Sequence, residues 1–313
     1  MPRVARKHVL DRKKGGFFHC LNRISGYPGE YPFQNPLVFA DFISRLRLCV
    51  LCSCIHCAGF VLMGNHFHLL LFAEQFRELS RCKLERFAKA RWGKLWKLRT
   101  RFWSDERWKR FNADLFDLSY FMKDFQGPFT TWFNKIFGHR GRLWCDRFKC
   151  LALADDLAAV QEQLLYIELN PVRANLAALP EEYKACSAYL RSIGEADWLI
   201  DLEDLYPDLE REKVAPFYRG LLLHRGLAPT RENQAAIPAE VVARELERRF
   251  PPGIYSRRCR FMIDGLMMGS KDRMLEELGR LTLEGVYQRK RNVTEHLSGL
   301  FHTIREQRSH CTW

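Results

Sequence analysis

Gly59-Phe60-Val61-Leu62-Met63-Gly64-Asn65-His66-Phe67-His68-Leu69-Leu70-Leu71-Phe72 is the stretch that decides the fold. Two apolar runs suited to strands flank Gly64-Asn65, and glycine at the first of two turn positions marks a tight primed hairpin turn. Side chains alternate faces along a strand, so His66 and His68 share one face and Phe67 takes the other. Two imidazoles on neighbouring same-face positions suit one divalent ion, while Phe67 and the leucines anchor the strand in the core. Taken alone, His-x-His reads equally as two surface histidines at a strand start.

Outward from this hairpin the chain alternates strands and helices. Residues 17–23 form an expected first strand, between Gly15-Gly16 and a loop from Gly26 to Gly29. Asn35-Pro36 opens a helix, Asn as cap and Pro in the first turn, with Leu37, Phe39, Phe42, Ile43 and Leu46 on its apolar face. A strand over 53–62 pairs with the histidine strand over 66–72. Another helix is expected through 115–137, with a kink or break at Gly127-Pro128. Leu143 to Leu153 alternates enough for a fourth strand, on which Arg147 and Lys149 share a face suited to phosphate. Asp155-Asp156 caps a helix to about Leu169, and Asn170-Pro171 ends it or begins a turn. The order β-α-β-β-α-β-α is that of a ferredoxin-like antiparallel sheet, an α+β fold. Its helices lie on one face and leave the other free for ligand.

The 313 residues are 47% hydrophobic, enough for a proper core, and the formal charge of +13 points to a polyanionic partner, nucleic acid being the commonest. Residues 77–110 hold thirteen Lys/Arg against four Asp/Glu, interleaved with Phe87, Trp92, Trp96, Phe102, Trp103 and Trp108. Helical spacing runs through most of this basic aromatic insertion, about 74–112, and puts Trp92 and Trp96 on one face. One reading is a solvated helix whose tryptophans pack on the core. The other, favoured by the dense alternation of arginine and tryptophan, is an arm on which Arg91 meets phosphate and Trp92 and Trp96 stack on bases.

No apolar run approaches the ~18 residues that span a bilayer, so no membrane partner is expected. Met1 to His8 carries charge but no apolar run follows it, so no signal peptide is expected either. Eleven cysteines, an odd number in a chain too large to need stapling, fit a reducing cytoplasm. Cys49, Cys52, Cys54 and Cys57 contain two abutting C-x-x-C units, whereas zinc sites bring separated pairs together across a loop. Buried thiols are the default reading of that cluster, with zinc as the alternative.

Tyr166 and Asn170 lie one helical turn apart in Leu165-Tyr166-Ile167-Glu168-Leu169-Asn170-Pro171-Val172-Arg173-Ala174. A mid-helix tyrosine is either a packing residue or, here, a nucleophile beside the metal that His66 and His68 would hold. Several motifs then fall in a definite order: Phe18-His19 with Arg23, Met63 to Leu70, Phe133-Asn134, Gly141 to Trp144, Arg147-Phe148-Lys149 and Tyr166 to Ala174. In that order the chain resembles the HUH single-tyrosine transposases, above all their REP-associated branch, the RAYTs. The resemblance covers about residues 15–190, with a weaker echo from Phe261 to Ser270.

The resemblance implies a nuclease unit over 1–190 and a mainly helical region over 191–313. It implies a metal-dependent endonuclease and strand transferase that cuts single-stranded DNA beside REP-like hairpins, as a monomer or homodimer in the bacterial nucleoid. Tyr166 would attack, leaving a 5′-phosphotyrosine link and a free 3′-OH. His66 and His68 would hold Mg²⁺ or Mn²⁺, with Asn170 as third ligand, and Arg23, Arg147, Lys149 and Arg173 would meet DNA. The chemistry agrees, because a phenol of pKa about 10 attacks a phosphodiester poorly without a cation to offset the developing charge. His19 is a candidate general base, or a core or DNA-contacting histidine. One departure is Gly64, where the family usually has proline; glycine keeps the turn and loosens it. The alternative is a protein that binds DNA hairpins and has lost cleavage.

Overall fold

A computed structural model of the 313-residue chain describes residues 15–26, 31–154, 156–227, 234–245, 265–286, 292–296 and 301–305. The sequence features at Met1 to His8, Asp155 and Phe261 to Asp264 lie outside them, as does most of the loop from Gly26 to Gly29.

The histidine hairpin forms as its pattern predicts. Strands β2 (Ile55–Leu62) and β3 (His66–Ala73) pair antiparallel, with Leu62 opposite Phe67. The connection is not a primed turn, however. Among the described residues neither Gly64 nor Asn65 has a positive φ, which both primed types require. Gly64 serves packing instead: a Cβ there would come within 2.8 Å of Tyr31 Cδ1, and its carbonyl accepts from Phe33 N at 2.9 Å.

Strand β1 (Gly16–Arg23) pairs antiparallel with β3, placing Arg23 opposite His66 and Leu21 opposite His68. Its other edge pairs antiparallel with β4 (Lys149–Leu153). That strand is shorter than the alternation of 143–153 suggests. Trp144 makes a lone bridge to Ile24, and Arg147 lies in the intervening loop, so it does not share a strand face with Lys149.

Helix α1 (Pro36–Leu51) starts where expected, Asn35 accepting from Leu37 N at 2.9 Å. It buries Val38, Phe42, Leu46, Cys49 and Val50, while Leu37 faces out. The insertion comprises α2 (Arg81–Trp92), α3 (Trp96–Thr100) and α4 (Asp105–Leu115). Gly93, at φ 54°, separates α2 from α3, so Trp92 and Trp96 do not sit on one regular helix. Helix α5 (Leu118–Phe137) is capped by Asp117 and runs through Pro128 without a break, laying Phe125, Phe129 and Phe133 on the core. Phe42, Phe67 and Phe125 meet edge-on or tilted at ring separations of 4.9–5.9 Å, fastening α1 and α5 to one sheet face.

The opposite face is not open. Helix α6 (Leu157–Glu168), capped by Asp156, packs across it and continues into the short α7 (Asn170–Arg173). Gly59 permits the approach: a Cβ at that position would lie 2.1 Å from Leu164 Cδ1. Behind α6 lie α8 (Ser187–Ser192), α9 (Leu202–Leu205), α10 (Arg211–Gly226) and α11 (Ala239–Glu245).

The C-terminal part carries strands beside its helices. Strand β5 (Gly265–Gly269), helix α12 (Lys271–Leu283) and strands β6 (Thr294–His296) and β7 (Phe301–Arg305) extend the same sheet to seven strands in the order β2-β3-β1-β4-β5-β7-β6. Of the pairings between these seven strands among the described residues, that of β4 with β5 is parallel and the others antiparallel. The succession β5-α12-β6-β7, ordered β5-β7-β6, repeats the topology of β1-α1-β2-β3, ordered β1-β3-β2, on the far side of β4. No repeat in sequence announces it. Among the described residues no helix is long and apolar enough to cross a membrane.

Candidate active site

The strand register sets His66, His68, Arg23 and Lys149 on the sheet face that α6 covers. Arg23 is cross-strand from His66, while His68 and Lys149 flank Leu21 from either side. Tyr166 comes down onto them from α6. Its ring lies 6.1 Å from that of His68 and 6.3 Å from that of His19, edge-on to both, and the His66 and His68 rings are 5.1 Å apart. Arg173, from α7, places its guanidinium carbon 5.4 Å from the Tyr166 ring centre. Asn170 donates to the Tyr166 carbonyl at 2.9 Å, which ties α7 to the end of α6. One protomer therefore brings together Tyr166, both histidines, Arg23, Lys149 and Arg173, while Asn170 is placed by its bonds to the Tyr166 and Ile167 carbonyls.

Burial decides the protonation of the pair. Loss of hydration, then the nearby Arg23, lowers the His66 pKa to about 4. Loss of hydration, then His19 and His66, pushes His68 well below the ordinary histidine value. Both imidazoles are neutral near pH 7, the form that ligates metals. His66 Nδ1–H donates to the Asn65 side-chain oxygen at 2.9 Å, which leaves the Nε2 lone pair for a cation.

His68 is oriented through a longer chain. Its Nδ1 lies 2.8 Å from His19 Nε2, and His19 Nδ1 lies 3.2 Å from Gln163 Nε2. All three side chains are buried. With the Gln163 amide donating, His19 carries its proton on Nε2 and gives it to His68 Nδ1, which leaves the His68 proton on Nε2. Turning the carboxamide over reverses both bonds and frees that lone pair. Gln163 Oε1, buried and without a hydrogen-bond partner in the first arrangement, would then accept from His19. With the carboxamide turned, the two histidines fit a divalent cation through their Nε2 atoms. His19 is consequently a buried residue that orients His68.

Glu168 anchors the tyrosine helix from behind. Fully buried, it lies 2.5 Å from both the Ser187 and Tyr218 hydroxyls and 3.8 Å from Arg191 Nε. Its pKa is raised, mainly by burial, and opposed by Arg191 and the two hydroxyls. Nothing in the sequence marks Asn65, Gln163 and Glu168 as site residues. Asn65 registers only as a turn residue, Gln163 carries no local pattern, and Glu168 sits inside a motif whose tyrosine draws the attention.

The insertion residues lie elsewhere. Cys54 accepts Leu115's neighbourhood into a second small core, its N–H donating to the Leu115 carbonyl at 2.9 Å. Ile55, the next residue, pairs with Ala73, at the end of β3 remote from His66. Seven residues at about 3.3 Å each separate those ends by roughly 23 Å. Arg91 is ion-paired with Asp124 of α5 and stacks 5.2 Å from the Tyr120 ring. Trp92 packs on Trp103 and Phe111 at 5.5 and 5.6 Å, and Trp96 joins the same cluster. These three side chains, each partly exposed, pack within the insertion.

Among the described residues no three His, Cys, Asp or Glu side chains gather as a metal cluster, the four cysteines included. Burial raises the thiols of Cys52 to about 11 and of Cys54 and Cys57 to about 12, and that of Cys49 also upward.

No family model and no curated protein matches the chain. A solved structure of a REP-associated tyrosine transposase bound to a REP hairpin is similar to it at 12% identity and a TM-score of 0.38, over 60% of this chain and 87% of that one. A likeness this distant fixes neither the fold nor the chemistry.

Proposed function

We propose that this chain is a metal-dependent single-strand DNA endonuclease and strand transferase that works beside DNA hairpins through Tyr166. The observation that carries the reading is the Tyr166 ring 6.1 Å from His68, over a pair of neutral imidazoles on one strand face. In this reading β2-β3-β1-β4, antiparallel throughout, is a ferredoxin-like sheet, and Tyr166 serves the histidines of its own chain.

The residues divide the work. His66 and His68, with Asn170 as third ligand, would hold Mg²⁺ or Mn²⁺, and two imidazoles favour Mn²⁺. The bound cation supplies charge neutralisation at a non-bridging phosphate oxygen. Arg23, Lys149 and Arg173 add fixed positive charge around the same phosphate. The Tyr166 oxygen attacks phosphorus as its proton passes to solvent. The P–O3′ bond breaks, the 3′ oxygen takes up a proton, and the 5′ phosphate stays on the tyrosine. Attack by a 3′-OH reverses the step, so strands rejoin without another energy source.

The test is a 3′-labelled single-stranded hairpin oligonucleotide incubated with the full chain and Mn²⁺ or Mg²⁺. A denaturation-resistant protein–DNA adduct that disappears in Tyr166→Phe is expected. Tight binding with no adduct in either metal would overturn the nuclease reading in favour of a non-cleaving hairpin binder.

A further inference from the structure

The chain's charge is concentrated where its catalytic residues are not. Residues 77–110 carry thirteen Lys/Arg against four Asp/Glu, a net +9 within a chain of +13. Three of those cations are paired, Arg77 with Glu74, Arg81 with Asp105 and Arg91 with Asp124. None at the tip is. Lys94, Lys97, Arg99 and Arg101 are exposed and have no ion pair among the described residues.

The same tip exposes three large apolar side chains in a row: Leu95 (54%), Leu98 (68%) and Phe102 (87%), spaced i, i+3, i+7. The tip does not lack a core to bury them in. Trp92, Trp96 and Trp103 beside them pack inward on Phe111 and Trp108. Rings under the cations also hold them in place, Arg101 lying 5.0 Å over Phe102 and Lys97 5.8 Å over Trp96.

From these observations we infer that the 93–102 tip is a second DNA-docking surface, in which Phe102 and Leu98 contact unpaired bases and the four cations follow the phosphates. The chemistry selects the partner. A second copy of this chain would set four unpaired cations against four, which repel. An apolar stripe flanked by unpaired cations matches single-stranded nucleic acid, whose bases offer flat apolar faces and whose backbone is anionic. The insertion is rooted beside the Ala73 end of β3, away from His66. The choice of DNA rests on the function proposed above, but docking does not require cleavage.

The experiment measures binding in a Tyr166→Phe background, so that adduct formation plays no part. Fluorescent hairpin oligonucleotides with and without a 20-nucleotide single-stranded tail are titrated at several salt concentrations. Vesicles of mixed phosphatidylcholine and phosphatidylglycerol form a parallel arm. Phe102→Ala is expected to weaken binding of the tailed hairpin roughly 5- to 100-fold, the loss of one base stack, with little effect on the tailless one. Replacing Lys94, Lys97, Arg99 and Arg101 with Gln is expected to lower the salt slope for the tailed hairpin by up to about 3. Equal binding of both hairpins by every variant would overturn the proposal. So would tip-dependent binding to the vesicles with no tip-dependent binding to DNA. A wild-type chain that forms no adduct while its tip variants lose tail binding would refute the nuclease reading and leave this one standing.

Discussion

The histidine face and the insertion are both rich in aromatic rings and positive charge, yet the structure uses them in opposite ways. On the histidine face, polar groups are taken out of water, lose their charge and are held by one another: Gln163 to His19, His19 to His68, Asn65 to His66. In the insertion, the tryptophans withdraw into a small core and leave lysines, arginines, Leu98 and Phe102 outside. Burial, more than composition, separates a place fit for chemistry from one fit for holding a polymer.

The widest separation of the two regions comes from cleavage. His68→Ala is expected to reduce adduct formation more than about 100-fold, beyond what loss of an outer partner costs, whereas Gln163→Leu, which removes only such a partner, costs about 10-fold. Single-turnover rates at fixed Mn²⁺ compare the two, and equal losses would show that the Gln163–His19 chain does not tune His68.

Stability comes next. Glu168→Ala leaves Ser187, Tyr218 and Arg191 facing a buried gap and is expected to cost about 3 kcal/mol in urea unfolding. Glu168→Gln keeps the shape and is expected to cost about 1 kcal/mol. A loss below that in the alanine variant would mean that the tyrosine helix is held by packing alone.

Acid offers a third comparison. His66 titrates at about 4 when folded against 6.5 when unfolded, so between those values the unfolded chain binds more protons. Its contribution to stability is complete above pH 6.5, falls as pH drops towards 4, and levels off below. Unfolding curves of wild type and His66→Gln should therefore diverge in that window, and parallel curves would refute the assignment. The smallest expected effect belongs to the tip. Phe102→Ser touches no core, so its unfolding free energy should stay within about 0.5 kcal/mol of wild type.

Much of the frame is legible in the sequence because it rests on local signals. Asn35-Pro36, Asp117 and Asp156 mark helix starts, and alternation gives β1, β2 and β3. What escapes is non-local. The sheet face expected to be free is closed because Gly59 lets Leu164 approach, and a glycine in a strand does not say what will fill its space. Strands β5, β6 and β7 are three to five residues long and owe their existence to pairing with β4 and each other, so no local pattern marks them among the helices of that region. The site divides likewise: His66, His68, Tyr166 and Asn170 carry motif signals, whereas Gln163, Asn65 and Glu168 become visible only as hydrogen-bond partners. Arg91, Trp92 and Trp96 show how one pattern serves two readings, since the alternation that suggests a nucleic-acid arm also builds a small core.

The central claim is that one phenol and two imidazoles share a single reaction centre. It is tested most directly by digesting the Mn²⁺-dependent adduct with trypsin and nuclease and locating the nucleotide by mass spectrometry. A 5′-phosphonucleotide on Tyr166, absent from the His68→Ala protein, is the predicted result. A nucleotide on any other residue, or an adduct that forms equally well without His68, would contradict it.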